Sequence, residues 1–262
     1  MRRPFVPAVA VALLCAGCAT ADAEDTSASA SPAPDPGSVV REAVAGTRAG
    51  TARIDETIEI GAAGNEYRFR IAGGFDFGAD RGHLTVDPPW GTASTDEVFA
   101  GGKVYARGSE GVAASTWASV SREEAEVHYL LRAPLNDPQH VLRQVSAMRQ
   151  VSDQGRETVH GVRATHYRGT VDHRTLTLRM AADVRKQLGD ARQRLGADLP
   201  VSADAWVDGR GRLVRTRLAV NLGGAGATAT MNLTDLGKPV HVSVPDPADT
   251  VPGELIKSPV AG

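Results

Sequence analysis

Apolar and polar side chains alternate with a period of two over much of the chain, a pattern that predicts half-buried strands. In the first such segment, 52–60, Glu56 interrupts an apolar face formed by Ala52, Ile54, Ile58 and Ile60. Gly61 to Gly64 predicts a hairpin turn before a return strand whose apolar positions are Tyr67, Phe69 and Ile71. Further strands are predicted at 84–86, 98–99, 104–105, 157–159, 162–171, 201–207, 212–221 and 227–233.

Other segments place apolar residues at helical spacing instead. The first helix is predicted from Ser38, as its N-cap, to Gly46, and another helix covers 184–195. Between them, Asp137-Pro138 provides a cap and a first-turn proline for a helix whose apolar face is Val141, Leu142, Val145 and Met148. Ser121 with Glu124 three residues later has the spacing of a capping box and predicts one more helix start.

This order of elements predicts an α+β fold, with a single curved antiparallel β-sheet packed over a few α-helices. Strands come first, a helical middle follows, and strands return, without an internal repeat. The length suits one sizeable domain with its own core. We therefore predict one domain at 38–252 and a C-terminal tail at 253–262.

The N-terminus has the features of an export signal. Two arginines precede a short apolar run, which is about half as long as a membrane-spanning helix. The run ends in Leu13-Leu14-Cys15-Ala16-Gly17-Cys18, which resembles the lipobox of bacterial lipoproteins, although Cys15 stands where that pattern usually has leucine. The resemblance implies that 1–17 is a lipoprotein signal peptide and that Cys18 receives a diacylglyceryl group. A plain secretory signal is the alternative, and both Sec and Tat export remain open.

Residues 18–37 are rich in Ala, Ser, Thr, Asp and Pro and show no apolar periodicity. This composition predicts a flexible tether that spans about 20–25 Å on average. Such a tether would hold the domain just above a membrane surface. A disordered end without a role explains the same composition equally well.

Composition and charge exclude several functions. Both cysteines lie in the export region, so the remaining chain has no thiolate for a disulfide, a metal or catalysis. The formal charge is −2, and loss of the two signal-peptide arginines would make it −4, so nucleic acid is disfavoured as a partner. Only 4 of the 29 basic residues are lysines, which is typical of high-GC genomes and indicates an actinobacterial source.

Candidate catalytic and metal-binding residues do not form known patterns. No serine lies in a GxSxG motif, and no HExxH occurs. His160, His166 and His173 do not have helical ligand spacing, so we expect surface or turn histidines. We therefore expect no catalytic residue, no metal and no cofactor.

Three groups of short phrases are spread over the predicted domain. They are Glu157-Thr158-Val159-His160-Gly161-Val162 with His166-Tyr167-Arg168-Gly169-Thr170-Val171-Asp172; Ala205-Trp206-Val207-Asp208 with Gly211-Arg212-Leu213; and Asp235-Leu236-Gly237-Lys238-Pro239-Val240 with Val244-Pro245. Together with the order of elements, these phrases resemble the LppX/LprG family of mycobacterial lipoproteins, which are related in fold to the lipoprotein carrier LolA.

The resemblance implies a LolA-like half-barrel sheet with an apolar cavity between sheet and helices. In such proteins the cavity holds the acyl chains of a lipid or lipoglycan, and the protein carries lipids and is not an enzyme. It implies a lipid-anchored location on the extracytoplasmic face of the cell membrane. A transporter partner is compatible with that role. The alternative is a cell-envelope sensor or assembly module of the same fold, with a filled core and no lipid ligand.

Because a ligand pocket needs apolar walls, seven apolar side chains of the predicted strands and helix are candidates for the cavity wall. They are Ile54, Ile58, Phe69, Ile71, Leu142, Val145 and Met148. Alternatively, these side chains simply pack against one another. The small side chains at 227–230 either leave room beneath the sheet or allow close packing on a helix.

Overall fold

The period-two segments pair into one large sheet in a computed structural model of the chain. The structure describes residues 34–62, 64–89, 93–108, 115–125, 134–197, 199, 201–221 and 225–253. The strands are β1 (Thr51–Ala62), β2 (Asn65–Asp76), β3 (Arg81–Asp87), β4 (Thr95–Ala100), β5 (Lys103–Arg107), β6 (Trp117–Ser121), β7 (Arg149–Val159), β8 (Val162–Thr170), β9 (Val201–Asp208), β10 (Leu213–Asn221), β11 (Ala225–Thr234) and β12 (Thr250–Pro252). The helices are α1 (Pro36–Arg48), α2 (Pro138–Ser146), α3 (His173–Leu176) and α4 (Ala182–Leu195), and a 3-10 turn covers Pro247–Asp249.

The strand order is β12-β6-β5-β4-β3-β2-β1-β11-β10-β9-β8-β7. Pairing is antiparallel throughout the described strands, except that β12 runs parallel to β6. The pairing of β1 with β11 joins the two halves of the chain, and it sets Ile58 opposite Ala229 on one side and Phe69 on the other. The prediction of a single curved antiparallel sheet over helices is confirmed.

The core lies between the inner face of the sheet and the helices α1 and α2. Alternate residues of β1 from Ala52 to Ile60 are buried, whereas their neighbours are exposed or half-buried. Helix α1 contributes Val40, Ala43 and Val44 to the same cluster, and α2 contributes Val141, Leu142 and Val145. No helix in the described ranges is long and apolar enough to cross a membrane.

The first helix begins earlier than predicted. Its N-cap is Asp35 and not Ser38, because the Asp35 carboxylate accepts a hydrogen bond from the backbone N–H of Ser38 at 2.8 Å. Pro36 takes the first helical position, where its missing N–H leaves no hydrogen bond unmade. Asp35 and Pro36 therefore belong to the first helix, although the sequence places them in the predicted tether; the boundary at 37–38 itself stays a prediction.

The prediction of helices in the middle of the chain is confirmed in part. Helix α2 begins after Asp137 as predicted, and α4 covers the third predicted segment, whereas the short α3 was not predicted. Ser121 ends β6, and its carbonyl accepts the N–H groups of Glu124 and Ala125 at 2.9 and 3.1 Å, which forms one turn. Residues 126–133, where the predicted capping-box helix would continue, lie outside the described residues.

Candidate functional site

An open cleft of about 1500 Å³ lies at the end of the sheet where the β1–β2 and β10–β11 hairpins turn. The antiparallel order brings the end of β1, the start of β2, the end of β8 and the start of β9 to this same end. The apolar part of the lining consists of Ile60, Tyr67, Val171, Leu199, Val201, Ala219, Val220 and Ala227. The sheet therefore forms one continuous wall of the cleft.

Charged side chains line the same cleft. Glu59 and Arg68 form an ion pair at 2.6 Å, and so do Arg149 and Asp172. Arg217 lies in the same lining. Partly exposed ion pairs contribute at most about 1 kcal/mol to stability, so they can rearrange around a polar or charged headgroup at low cost. The cleft thus combines apolar walls with charged side chains that can exchange their ion-pair partners for a headgroup.

A smaller cavity of about 40 Å³ lies against α2, α3 and strands β9 to β11. It shares part of its lining with the cleft, namely Val171, Val201, Ala219, Val220 and Ala227. The remaining apolar lining is Leu135, Leu176, Met180, Leu218 and Ala229. Because three of these wall positions are alanines on β10 and β11, the small side chains leave room beneath the sheet there.

Two polar side chains of α2, His140 and Gln144, also line this inner cavity. They are 1% and 3% exposed. The Gln144 amide nitrogen is 3.4 Å from the carbonyl oxygen of Thr175 and 3.5 Å from that of Leu176. The Gln144 Oε1 and the His140 Nδ1 have no hydrogen-bond partner among the described residues. Burial lowers the pKa of His140 to about 4, so its ring is neutral at pH 7.

The structure brings the seven predicted wall residues together in the main core cluster. Six of them are 0% exposed, and Met148 is 5% exposed. None of the seven is in the lining of the cleft or of the inner cavity. They are buried in the same cluster as the apolar side chains of α1, so they contribute to the packed core. Their role as a ligand wall stays a prediction.

A buried ionic network lies at the start of α2. Two nitrogens of Arg122 donate to the Asp137 carboxylate, each at 2.7 Å, and Arg179 donates to it at 2.8 Å. Asp137 is 2% exposed. Burial favours its neutral form, but the hydrogen bonds and charges of the two arginines outweigh this and lower the pKa of Asp137 to about 2. Asp137 is therefore ionised at neutral pH and compensates two buried cations.

Two further carboxyl groups, Glu56 on β1 and Glu97 on β4, are 0% exposed. Burial, reinforced by the charge of Asp137, raises the pKa of each to about 8. Glu97 accepts hydrogen bonds from the Asn136 amide at 2.7 and 3.0 Å. The two oxygens of Glu56 have no partner among the described residues. Both groups are thus mainly neutral acids at pH 7.

The expectation of a surface or turn histidine is wrong for His166, which is 8% exposed, and His140 is buried as well. The two ring nitrogens of His166 lie 2.9 Å from Glu157 and 2.7 Å from Asp204, and the ring stacks on Trp206 with centroids 4.3 Å apart. Strand alternation cannot reveal this cluster, because Asp204 and Trp206 are on β9, and Asp204 lies 38 residues from His166 in sequence. In the described ranges no group of three or more His, Cys, Asp or Glu side chains is arranged to hold a metal ion.

No family model matches the chain, and no curated protein matches it. Solved structures similar to it include LprF from Mycobacterium bovis, at 14% identity and a TM-score of 0.47, which covers 82% of this chain and 98% of that one. Lipoprotein LppX from Mycobacterium tuberculosis is 14% identical, with a TM-score of 0.44 and coverage of 80% and 100%. A LolA superfamily protein from Nitrosomonas europaea is 12% identical, with a TM-score of 0.32 and coverage of 84% and 99%.

The solved structures similar to this chain thus include LppX, a member of the family that the sequence resembles. At these identities the likeness concerns the fold. The predicted lipidation site, Cys18, and the predicted signal peptide lie outside the described residues.

Proposed function

We propose that this protein is a membrane-anchored extracytoplasmic lipoprotein that binds or shuttles the acyl chains of a lipid or lipoglycan. The observation that carries the proposal is a large cleft that shares five lining residues with an apolar inner cavity. The cleft, at about 1500 Å³, exceeds the roughly 300–1000 Å³ of most small-molecule sites. Its size suits a ligand with more than one chain.

The cleft and the inner cavity differ in the polarity of their lining, which supports an amphipathic ligand. Charged residues such as Arg68 and Arg149 line the outer cleft, whereas the inner cavity is lined mainly by apolar side chains. A headgroup would remain near the charges while the acyl chains contact the apolar wall. Each methylene group removed from water contributes about 0.8 kcal/mol, so even a partly enclosed chain would bind measurably.

Lipid uptake is best tested by native mass spectrometry of the full chain after incubation with lipid extract from an actinobacterium. We expect discrete added masses that fragment to lipids. Ala219→Trp should reduce them, because Ala219 lines both the cleft and the inner cavity. Ala45→Trp is the matched control, since Ala45 is exposed on α1 and is in neither lining. A bare protein under every condition would refute lipid binding and favour the sensor or assembly module.

The anchor is a separate part of the proposal. A diacylglyceryl group on Cys18 would supply two chains, which anchor a protein stably where a single chain does not. We expect Cys18→Ser to move the protein from the membrane fraction to the soluble fraction. A Cys18→Ser variant that remains fully membrane-bound would show that the lipobox interpretation is wrong.

A further inference from the structure

Two buried polar atoms at the inner cavity have no hydrogen-bond partner among the described residues. His140 and Gln144 are four residues apart on α2, so their side chains lie on the same face of the helix. The orphan atoms are Nδ1 of the first and Oε1 of the second, and both residues line the same cavity. More than about 90% of buried polar groups in proteins are paired, so two orphans at one cavity indicate a missing partner.

The chemistry of these atoms restricts that partner. Gln144 Oε1 only accepts hydrogen bonds, so the partner must donate. With the proton on Nδ1, the neutral His140 ring donates, so the same partner must also accept. A hydroxyl group does both with a single oxygen. A ketone or ester carbonyl cannot donate, and it would leave Gln144 unpaired.

Charged partners fit the cavity poorly. Burial keeps His140 neutral at pH 7, and no other described side chain in the cavity lining carries a charge. A carboxylate or phosphate would lose its hydration without finding a counter-charge in the described lining, and an ammonium group would meet the same difficulty. The uncharged hydroxyl is the donor and acceptor with the smallest desolvation cost.

The size of the cavity decides which part of a ligand can enter. A volume of about 40 Å³ accommodates on the order of three water-sized groups, which suits a hydroxyl with one or two adjoining carbons. The shared wall with the cleft then places the hydroxyl at the inner end of the ligand, away from the charged residues at Arg68 and Arg149.

On this basis we propose that the inner cavity recognises a hydroxyl group carried on the acyl chain of the bound lipid, through Gln144 and His140. The inference rests on the proposed lipid-binding function and specifies the class of lipid. Each of the two hydrogen bonds contributes about 1 kcal/mol net, so together they correspond to about a thirtyfold preference for the hydroxylated chain.

A competition between two soluble probes tests this directly. The full chain is incubated with an equimolar mixture of hexadecanoic acid and 16-hydroxyhexadecanoic acid, and native mass spectrometry reports the ratio of the two complexes. The expected result is about a thirtyfold excess of the hydroxylated complex. This ratio is measured on the unaltered chain and does not depend on the folding of any variant.

Variants then assign the preference to the cavity. Gln144→Met and His140→Phe should each reduce the ratio toward one and retain binding of hexadecanoic acid. Gln139→Met is the matched control, because Gln139 is on the same helix but donates to the Phe77 carbonyl at 2.9 Å and is not in the cavity lining. Its ratio should remain near that of the unaltered chain.

The outcomes separate this inference from the function on which it rests. Equal binding of both acids by the unaltered chain would overturn hydroxyl recognition and leave lipid binding intact. A hydroxyl preference that both cavity variants retain would also overturn it, because the hydroxyl would then be recognised elsewhere. Failure of the unaltered chain to bind either acid would refute the proposed lipid-binding function itself.

Discussion

Replacing Glu56 by glutamine is expected to stabilise the protein at neutral pH and to have little effect near pH 4. Burial, with the charges of Asp137 and Glu97, raises the pKa of Glu56 from 4.5 to about 8. Between these values the folded chain keeps a proton that the unfolded chain has lost. Stability from this group is therefore fully present below pH 4.5 and is lost as the pH rises through about 8.

The magnitude follows from the pKa difference. Each pH unit in that window costs about 1.4 kcal/mol of folding free energy, so the cost at pH 7 is about 3 kcal/mol. Glutamine has nearly the same shape as the neutral acid and does not titrate. The free energy of unfolding of the Glu56→Gln variant should therefore exceed that of the unaltered chain by up to about 3 kcal/mol at pH 7.

Urea denaturation at pH 5, 6, 7 and 8 measures the difference in the free energy of unfolding. The advantage of Glu56→Gln should grow with pH up to about 8. Glu59→Gln is the control on the same strand, where a half-exposed carboxylate pairs with Arg68, and its effect should stay within about 1 kcal/mol throughout. A constant difference across this range, or a less stable Glu56→Gln variant at pH 7, would refute the argument.

Three other substitutions have defined expected effects on stability. Asp137→Asn should cost about 3–5 kcal/mol in urea denaturation, because two buried arginines lose the buried carboxylate that they share and keep only the more exposed Asp80 and Glu123; a loss below about 1 kcal/mol would contradict this. Gly46→Ala should stabilise by about 0.5–1 kcal/mol, since a Cβ there meets nothing within 4 Å in an exposed part of α1. Gly73→Ala should lower the melting temperature clearly, because its Cβ would collide with the backbone carbonyl of His83; an unchanged melting temperature would show that β2 and β3 separate easily.

Local patterns predicted most elements of the fold, because strand alternation and capping residues act over a few positions. The burial of β1 on one face follows from its alternation, and α2 follows from Asp137-Pro138. The start of α1 was missed because Asp35 and Ser38 are both good N-caps, and the proline between them decides in favour of the first. The three-residue β12, parallel to β6, is too short to show any periodicity.

The site was harder to predict than the fold. Alternation shows which face of a strand is buried, but it does not show whether a helix or an open space lies above that face. Ile58 and Phe69 lie in the core cluster and border neither cavity, whereas Ala229, which pairs with Ile58, lines the inner cavity. The available signals were the run of small residues on β11 and the polar pair His140 and Gln144 on a helix with an apolar face.

The Ala229→Val variant tests whether this region holds a ligand cavity or a filled core. Ala229 is 2% exposed and borders the inner cavity of about 40 Å³. If the cavity is empty without ligand, the added methyl groups should fill it and stabilise the ligand-free protein by about 0.5–2 kcal/mol. If the side chains already fill this region, overpacking should destabilise it by about 1–3 kcal/mol.

Lipid uptake by the same variant is the second quantity to measure. A carrier should become more stable and bind less lipid, because the valine occupies space that the acyl chain needs. Thermal denaturation of the ligand-free Ala229→Val variant and native mass spectrometry of its lipid complexes report the two effects separately. A gain in stability with unchanged lipid uptake would remove the inner cavity from the binding site, and a loss of stability would show that the region is already packed.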